Sequence, residues 1–112
     1  MTFIGQQTLE NLKVLHLMHC QISDVKPDTW RTVALEELDL SSNLLTKFVV
    51  EWKLVVPALV KAKFDDNLLV RFDIQKCITG KLRSLSLSTN YLEEVLLPAI
   101  PTLETLDLCT PS

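Results

Sequence analysis

The stretch Leu82-Arg83-Ser84-Leu85-Ser86-Leu87-Ser88-Thr89-Asn90-Tyr91-Leu92 decides how this chain folds. Leu85 and Leu87 alternate with serines, which is the period of a short strand that buries one face. Asn90 falls where the strand must end and the backbone turn inward. The same spacing recurs as Leu12, Leu15, Leu17, Cys20, Ile22, then as Leu35, Leu38, Leu40, Asn43, Leu45, and again as Leu59, Ala62, Phe64, Asn67, Leu69. Leu103, Leu106 and Leu108 open a fifth copy. The starts at 12, 35, 59, 82 and 103 lie 23, 24, 23 and 21 residues apart. One such unit cannot bury its apolar side by itself, so the copies must stack into a continuous core. Residues 1–112 therefore read as a single domain of about 4.5 turns.

The ninth residue of each copy meets backbone groups of adjacent turns, which would otherwise be buried and unpaired. Asn43, Asn67 and Asn90 are expected to form a ladder of side-chain amides. Cys20 is its first rung, and the weakest, because a thiol donates poorly. Val25, Phe48, Phe72 and Val95, then Trp30, Trp52 and Cys77, then Val33 and Val56, are expected to fill the outer layer of the core. Ala62 and Phe64 stand where two strand leucines belong, a small-for-large exchange that can conserve core volume. Pro98 and Pro101 imply an extended return in the short fourth copy.

This pattern resembles the leucine-rich repeat, L-x-x-L-x-L-x-x-[N/C]-x-L, whose period is about 20–29 residues. The resemblance spans nearly the whole chain. It implies an α/β-type solenoid, an arc with a parallel concave sheet of about five short strands and a mostly irregular or 3₁₀ convex side. Room for a convex helix exists at Val49 to Val56 or Ile74 to Gly80. The repeat length and the outer aromatics look like the animal, often extracellular, subtype. Secreted members usually carry cysteine-rich caps, and none is recognisable here. Thr2 to Ile4 reads as a short strand, Leu9 as the tail of a preceding repeat, and Thr110-Pro111-Ser112 as the interior of a repeat. Both ends are thus expected to be edges of a longer array, with apolar surface open to self-association.

Composition narrows the function. Hydrophobic residues make up 47% of the chain, too many for a disordered linker. A net charge of -3 gives no electrostatic footprint for nucleic acid. The two glycines, Gly5 and Gly80, cannot build a phosphate-cradling loop. No apolar run approaches the roughly 18 residues of a transmembrane helix, and the N-terminus lacks a signal-peptide pattern. Asn11, Asn43, Asn67 and Asn90 all lack the glycosylation context. Cys20, Cys77 and Cys109 are odd in number and match no zinc spacing. Cys20 and Cys77 are expected to be buried thiols.

Stacking turns the polar strand positions into columns on the concave face. One column reads Val14, Glu37, Lys61, Ser84, Thr105, and another His16, Asp39, Lys63, Ser86, Asp107. Glu37 beside Lys61 and Asp39 beside Lys63 are neighbours of opposite sign, which support a sheet or offer a mixed-charge patch to a partner. Three groupings invite chemistry and fall short. His16, Met18 and His19 lack a nearby carboxylate to complete a metal site. Asp65 and Asp66 lack the glycine and oxygen ligands of a calcium loop. Ser41, His16 and Asp39 share a face but have no oxyanion hole or pocket.

The expectation is therefore a protein-binding module without catalysis, cofactor or metal. Its concave candidates are His16, Glu37, Asp39, Lys61, Lys63, Asp65, Arg83, Ser86 and Asp107. An extracellular or secreted setting, innate immunity included, is what the resemblance implies. The alternatives are a structural segment of a longer scaffold that binds elsewhere, and a cytosolic adaptor.

Overall fold

The computed structural model describes residues 2–3, 10–27, 30, 33–51 and 53–109. In chain order the strands are β1 (Thr2–Phe3), β2 (Val14–His16), β3 (Asp24–Val25), β4 (Glu37–Asp39), β5 (Lys47–Val49), β6 (Leu54–Val56), β7 (Lys61–Lys63), β8 (Arg71–Asp73), β9 (Cys77–Thr79), β10 (Ser84–Ser86), β11 (Glu94–Leu96) and β12 (Thr105–Asp107). Each is two or three residues long, because a coil that turns once in 23 or 24 residues has short sides. Every pairing among them is parallel.

The concave sheet has five strands in the order β12-β10-β7-β4-β2. Its register aligns Val14, Glu37, Lys61, Ser84 and Thr105, then Leu15, Leu38, Ala62, Leu85 and Leu106, then His16, Asp39, Lys63, Ser86 and Asp107. The returning side is also ordered by strands: β11-β8-β5 form one sheet, and β6-β9 and β1-β3 form pairs. The two stretches with room for a helix hold β6 and β9 instead, in keeping with their β-branched Val55, Val56, Ile78 and Thr79. Thr2–Phe3 pairs with Asp24–Val25 on this returning side. The expected residues Leu9, Trp52 and Thr110 lie outside the described residues.

The registers also locate the extra residue of the 24-residue turn. Val49 faces Asp73, but Leu54 faces Cys77, so residues 50–53 span what residues 74–76 span in the next turn. The added residue is absorbed on the returning side, and the concave columns stay in phase. Gly80 follows β9 where the backbones are close: a Cβ there would stand 3.3 Å from the Pro57 carbonyl oxygen.

Leu35, Leu38, Leu40, Leu45, Leu69, Leu82, Leu85 and Leu87 are all buried. Behind them Phe48, Phe64 and Phe72 form a triad with ring centroids 4.7–5.5 Å apart, and Trp30 joins at 6.4 Å from Phe48. Phe64, on the concave side, thus reaches the aromatics of the returning side. The exchange with Ala62 is incomplete: an apolar cavity of about 40 Å³ remains, lined by Ala62, Leu38, Phe48, Phe64 and Cys77 among others. Val56 is buried, whereas Val33 is 59% exposed, contrary to expectation. Val56 lies three residues before the next strand-opening leucine and Val33 two, so Val33 takes the exposed turn position that Pro57 holds in the following copy. Val95 is half-buried. Cys20 is also half-buried, not enclosed, since no described turn stacks on its outer side. At the other end Leu106 and Leu108 are exposed.

At the end of each concave strand the chain turns a corner. His19, Ser42, Asp66 and Thr89 take φ near +56° there, and Gln21 does so as well in the first turn. This left-handed conformation costs a non-glycine residue about 1 kcal/mol or more, most for β-branched Thr89. The hydrogen-bond direction reverses across the corner. Before it, the amides of Leu40 and Ser42 donate to Lys63 and Asp65 of the following turn. After it, the Leu44 amide donates to Ile22 of the preceding one.

The asparagines occupy this reversal. Asn43 Oδ1 accepts from the amides of Cys20 and Ile22 at 2.9 and 3.0 Å, and its Nδ2 donates to the carbonyls of Leu17, Leu40 and Ser41. Asn67 accepts from Leu45 and donates to Leu40, Phe64 and Asp65. Asn90 accepts from Leu69 and donates to Phe64, Leu87 and Ser88. Cys20 contributes one weak bond, Sγ to the Met18 carbonyl at 3.3 Å.

Two stability outcomes follow, both measurable by urea unfolding. Asn67→Ala is expected to destabilise by about 1–3 kcal/mol, since it leaves the buried Leu45 amide without its partner and takes one of two donors from the carbonyls of Leu40, Phe64 and Asp65. Ala62→Val is expected to stabilise by up to about 1 kcal/mol by filling the cavity, at roughly 24 cal/mol per Å³.

Candidate functional site

The curved sheet presents one side chain per strand in each surface column, polar at every place but Val14, fixed in position by main-chain bonds beneath it. His16 Nε2 lies 2.6 Å from Glu37 Oε2, a diagonal link between β2 and β4. Asp39 is 8% exposed, and its Oδ1 accepts the Ser41 amide at 2.9 Å. Lys63 Nζ stands 3.8 Å from Asp65 Oδ2, two residues on and just past the end of β7. Asp65 Oδ1 in turn accepts from Ser86 Oγ at 2.5 Å and from the Ser88 amide at 3.0 Å. Arg83 Nε and Glu104 Oε2, both well exposed, are 3.5 Å apart.

The register makes Glu37–Lys61 and Asp39–Lys63 direct neighbours, yet neither pair closes into a salt bridge among the described residues. Glu37 turns to His16, Asp39 to its own strand end, and Lys63 to Asp65. Lys61 remains an exposed cation at the centre of the sheet. The side chains of the conceivable Ser–His–Asp set do not meet in a relay, and Asp39 touches Ser41 only through the Ser41 backbone amide. Ser41 Oγ accepts the Asp65 amide, His16 meets Glu37, and Asp39 meets a backbone amide. Among the described residues no three His, Cys, Asp or Glu side chains gather as metal ligands. No described helix is long and apolar enough to cross a membrane.

A second charged network lies on the returning side, where the sequence reading had assigned only an apolar layer. Arg71 Nε bonds Glu94 Oε1 at 2.7 Å across β8 and β11, and its Nη2 meets Asp73 Oδ2 at 3.3 Å. The signal was the column Lys47, Arg71, Glu94, legible once this side is known to be a sheet.

All three cysteines are unbridged. Burial pushes the Cys77 thiol up to about 11. The exposed Cys109 thiol is raised by hydrogen bonding to Asp107 and by its charge. Asp107 is lowered because its carboxylate accepts from Cys109, the backbone amide foremost, at 3.0 Å. With a disulfide dye near pH about 8, Cys109 is expected to react first and Cys77 only after denaturation, because the thiolate is the reactive form. Asp107→Asn removes the charge that holds the Cys109 thiol up, so it should lower that pKa and speed the Cys109 reaction. An unchanged rate would contradict the coupling.

No solved structure matches the chain. The family model of the Leucine Rich Repeat matches residues 11–32, 34–52 and 81–103, more than half of the sequence. The unmatched interval contains the turn with Ala62 and Phe64, which nonetheless forms a rung in full register. With those matches, the repeated strand-and-corner unit and the parallel arc, the chain belongs to the leucine-rich repeat family, a protein–protein interaction scaffold.

Proposed function

We propose that the concave face is the recognition surface, with His16, Glu37, Lys61, Lys63, Asp65, Arg83, Ser86 and Asp107 as contact residues for a protein partner. The observation that supports this is the five-strand register, which assembles side chains about 23 residues apart in sequence into one continuous mixed-charge surface. Such a surface favours a partner of complementary charge pattern over a uniformly charged polymer. Asp39 acts from below, since it is buried and holds the strand end.

The setting we propose is extracellular or secreted, innate immunity included, on the strength of the 23–24-residue repeats and the aromatic outer layer. One observation favours a second reading, a cytosolic adaptor: Cys20, Cys77 and Cys109 are all free, and Cys109 is exposed. Free exposed thiols suit a reducing compartment.

The test uses a partner captured by crosslinking, identified and purified. Lys61→Ala with Lys63→Ala, and Glu37→Ala with His16→Ala, are expected to weaken its binding by about tenfold or more, equivalent to about 1.4 kcal/mol. Retained affinity in both double variants would place the contact elsewhere on the scaffold.

A further inference from the structure

Leu44, Leu68 and Tyr91 occupy the position just after the ladder asparagine in three successive turns. The repeat asks nothing apolar here; it is the next residue, as in Leu45 and Leu69, that enters the core. Leu44, Leu68 and Tyr91 are 47%, 42% and 59% exposed. Their amides donate to the carbonyls of Ile22, Leu45 and Leu69, so each sits one rung above the last. Exposed Val70 widens the strip, and Gln21 is its polar counterpart in the first turn. Single exposed leucines need no explanation, but a column held in register does.

Carboxylates border this strip. Asp65 and Asp66 lie on its concave side, and Glu93 on its returning side. Asp66 Oδ2 is held by the Ser42 hydroxyl at 3.1 Å, and Asp65 by Ser86 and Ser88. Farther round, Arg71 is engaged by Glu94 and Asp73.

We propose that this flank docks an amphipathic α-helix of a partner protein, laid along the solenoid axis, with aliphatic residues inward and Lys or Arg at its margins. Spacing carries the choice of a helix. Neighbouring turns of the solenoid are about 4.8 Å apart, and one helical turn rises about 5.4 Å. Helix residues at i, i+4 and i+7 therefore meet three consecutive rungs. An extended segment offers same-side residues every ~6.8 Å and falls out of step after one rung. The bordering carboxylates select basic margins, and Tyr91 supplies a large amphipathic anchor. This inference goes beyond the concave reading and shares with it Asp65 alone.

The test uses three labelled synthetic peptides and fluorescence anisotropy at low salt. The first has leucines at i, i+4 and i+7 on a lysine and alanine background. The second has the same composition with leucines at alternate positions, and the third has glutamates in place of lysines. The first is expected to bind at least about tenfold tighter than either other peptide. The Leu68→Asn, Tyr91→Asn double variant should weaken it by about tenfold, and Asp66→Asn by about threefold, while Lys61→Ala with Lys63→Ala stays within about twofold. The substituted side chains are exposed, so melting temperatures should agree within about 2 °C. If the double variant melts lower, Leu44→Asn with Tyr91→Asn replaces it. Equal binding of the alternating or glutamate peptide would overturn the proposal. So would loss of binding in the concave variant but not in the flank variant. Adsorption of the chain to phosphatidylcholine vesicles, abolished by the flank substitutions, would assign the strip to a lipid surface and overturn it too.

Discussion

The structure depends on how the chain satisfies its main-chain polar groups at the corner that ends each concave strand. At the strand end the amides of Leu40 and Ser42 donate forward to Lys63 and Asp65 of the next turn; just past the corner the Leu44 amide donates back to Ile22 of the previous one. A reversal inside a packed core leaves donors and acceptors facing no main-chain partner. The asparagine side chain is the group that fits, because its amide carries a donor and an acceptor on one plane. Asn43, Asn67 and Asn90 each take both roles, tying their own strand end to the turn before it. The left-handed residue beside each of them is the strain accepted to aim that side chain inward.

Because the corner is pinned at the same place in every turn, everything measured from it stays in phase. The strand leucines fall into one buried column, and the polar residues between them into columns on the surface. The column just past the corner is equally fixed, so an apolar choice repeated there becomes a strip rather than a scatter. A binding surface on this scaffold is thus a sum of single-residue choices at positions whose geometry is already settled.

The concave sheet was legible in the sequence for that reason: its side chains obey a strict period of two, and its corner residue is chemically distinctive. The returning side was less legible. Its strands β5, β6, β8 and β9 are as short as the concave ones, but no repeated residue like the corner asparagine marks where they end. Val33 was misplaced by one residue for the same lack of an anchor. The facing of Glu37 toward His16, and of Lys63 toward Asp65, could not be read from columns, since long side chains choose among several neighbours of opposite sign. Ala62 and Phe64 showed that volume is exchanged between layers, but not that a cavity would remain between them.

The 24-residue turn carries its added residue between Val49 and Leu54, away from the corner and from the concave strands. The returning side therefore works as slack in the coil. Insertions and deletions that arise there change the girth of a turn and leave its face aligned with the neighbours. A single residue gained between Leu35 and Asn43 has no such outlet: it would invert the strand, turning charges inward and leucines out. The coil thus accommodates a change of length on one side of the arc, whereas the surface available to partners can change only by substitution.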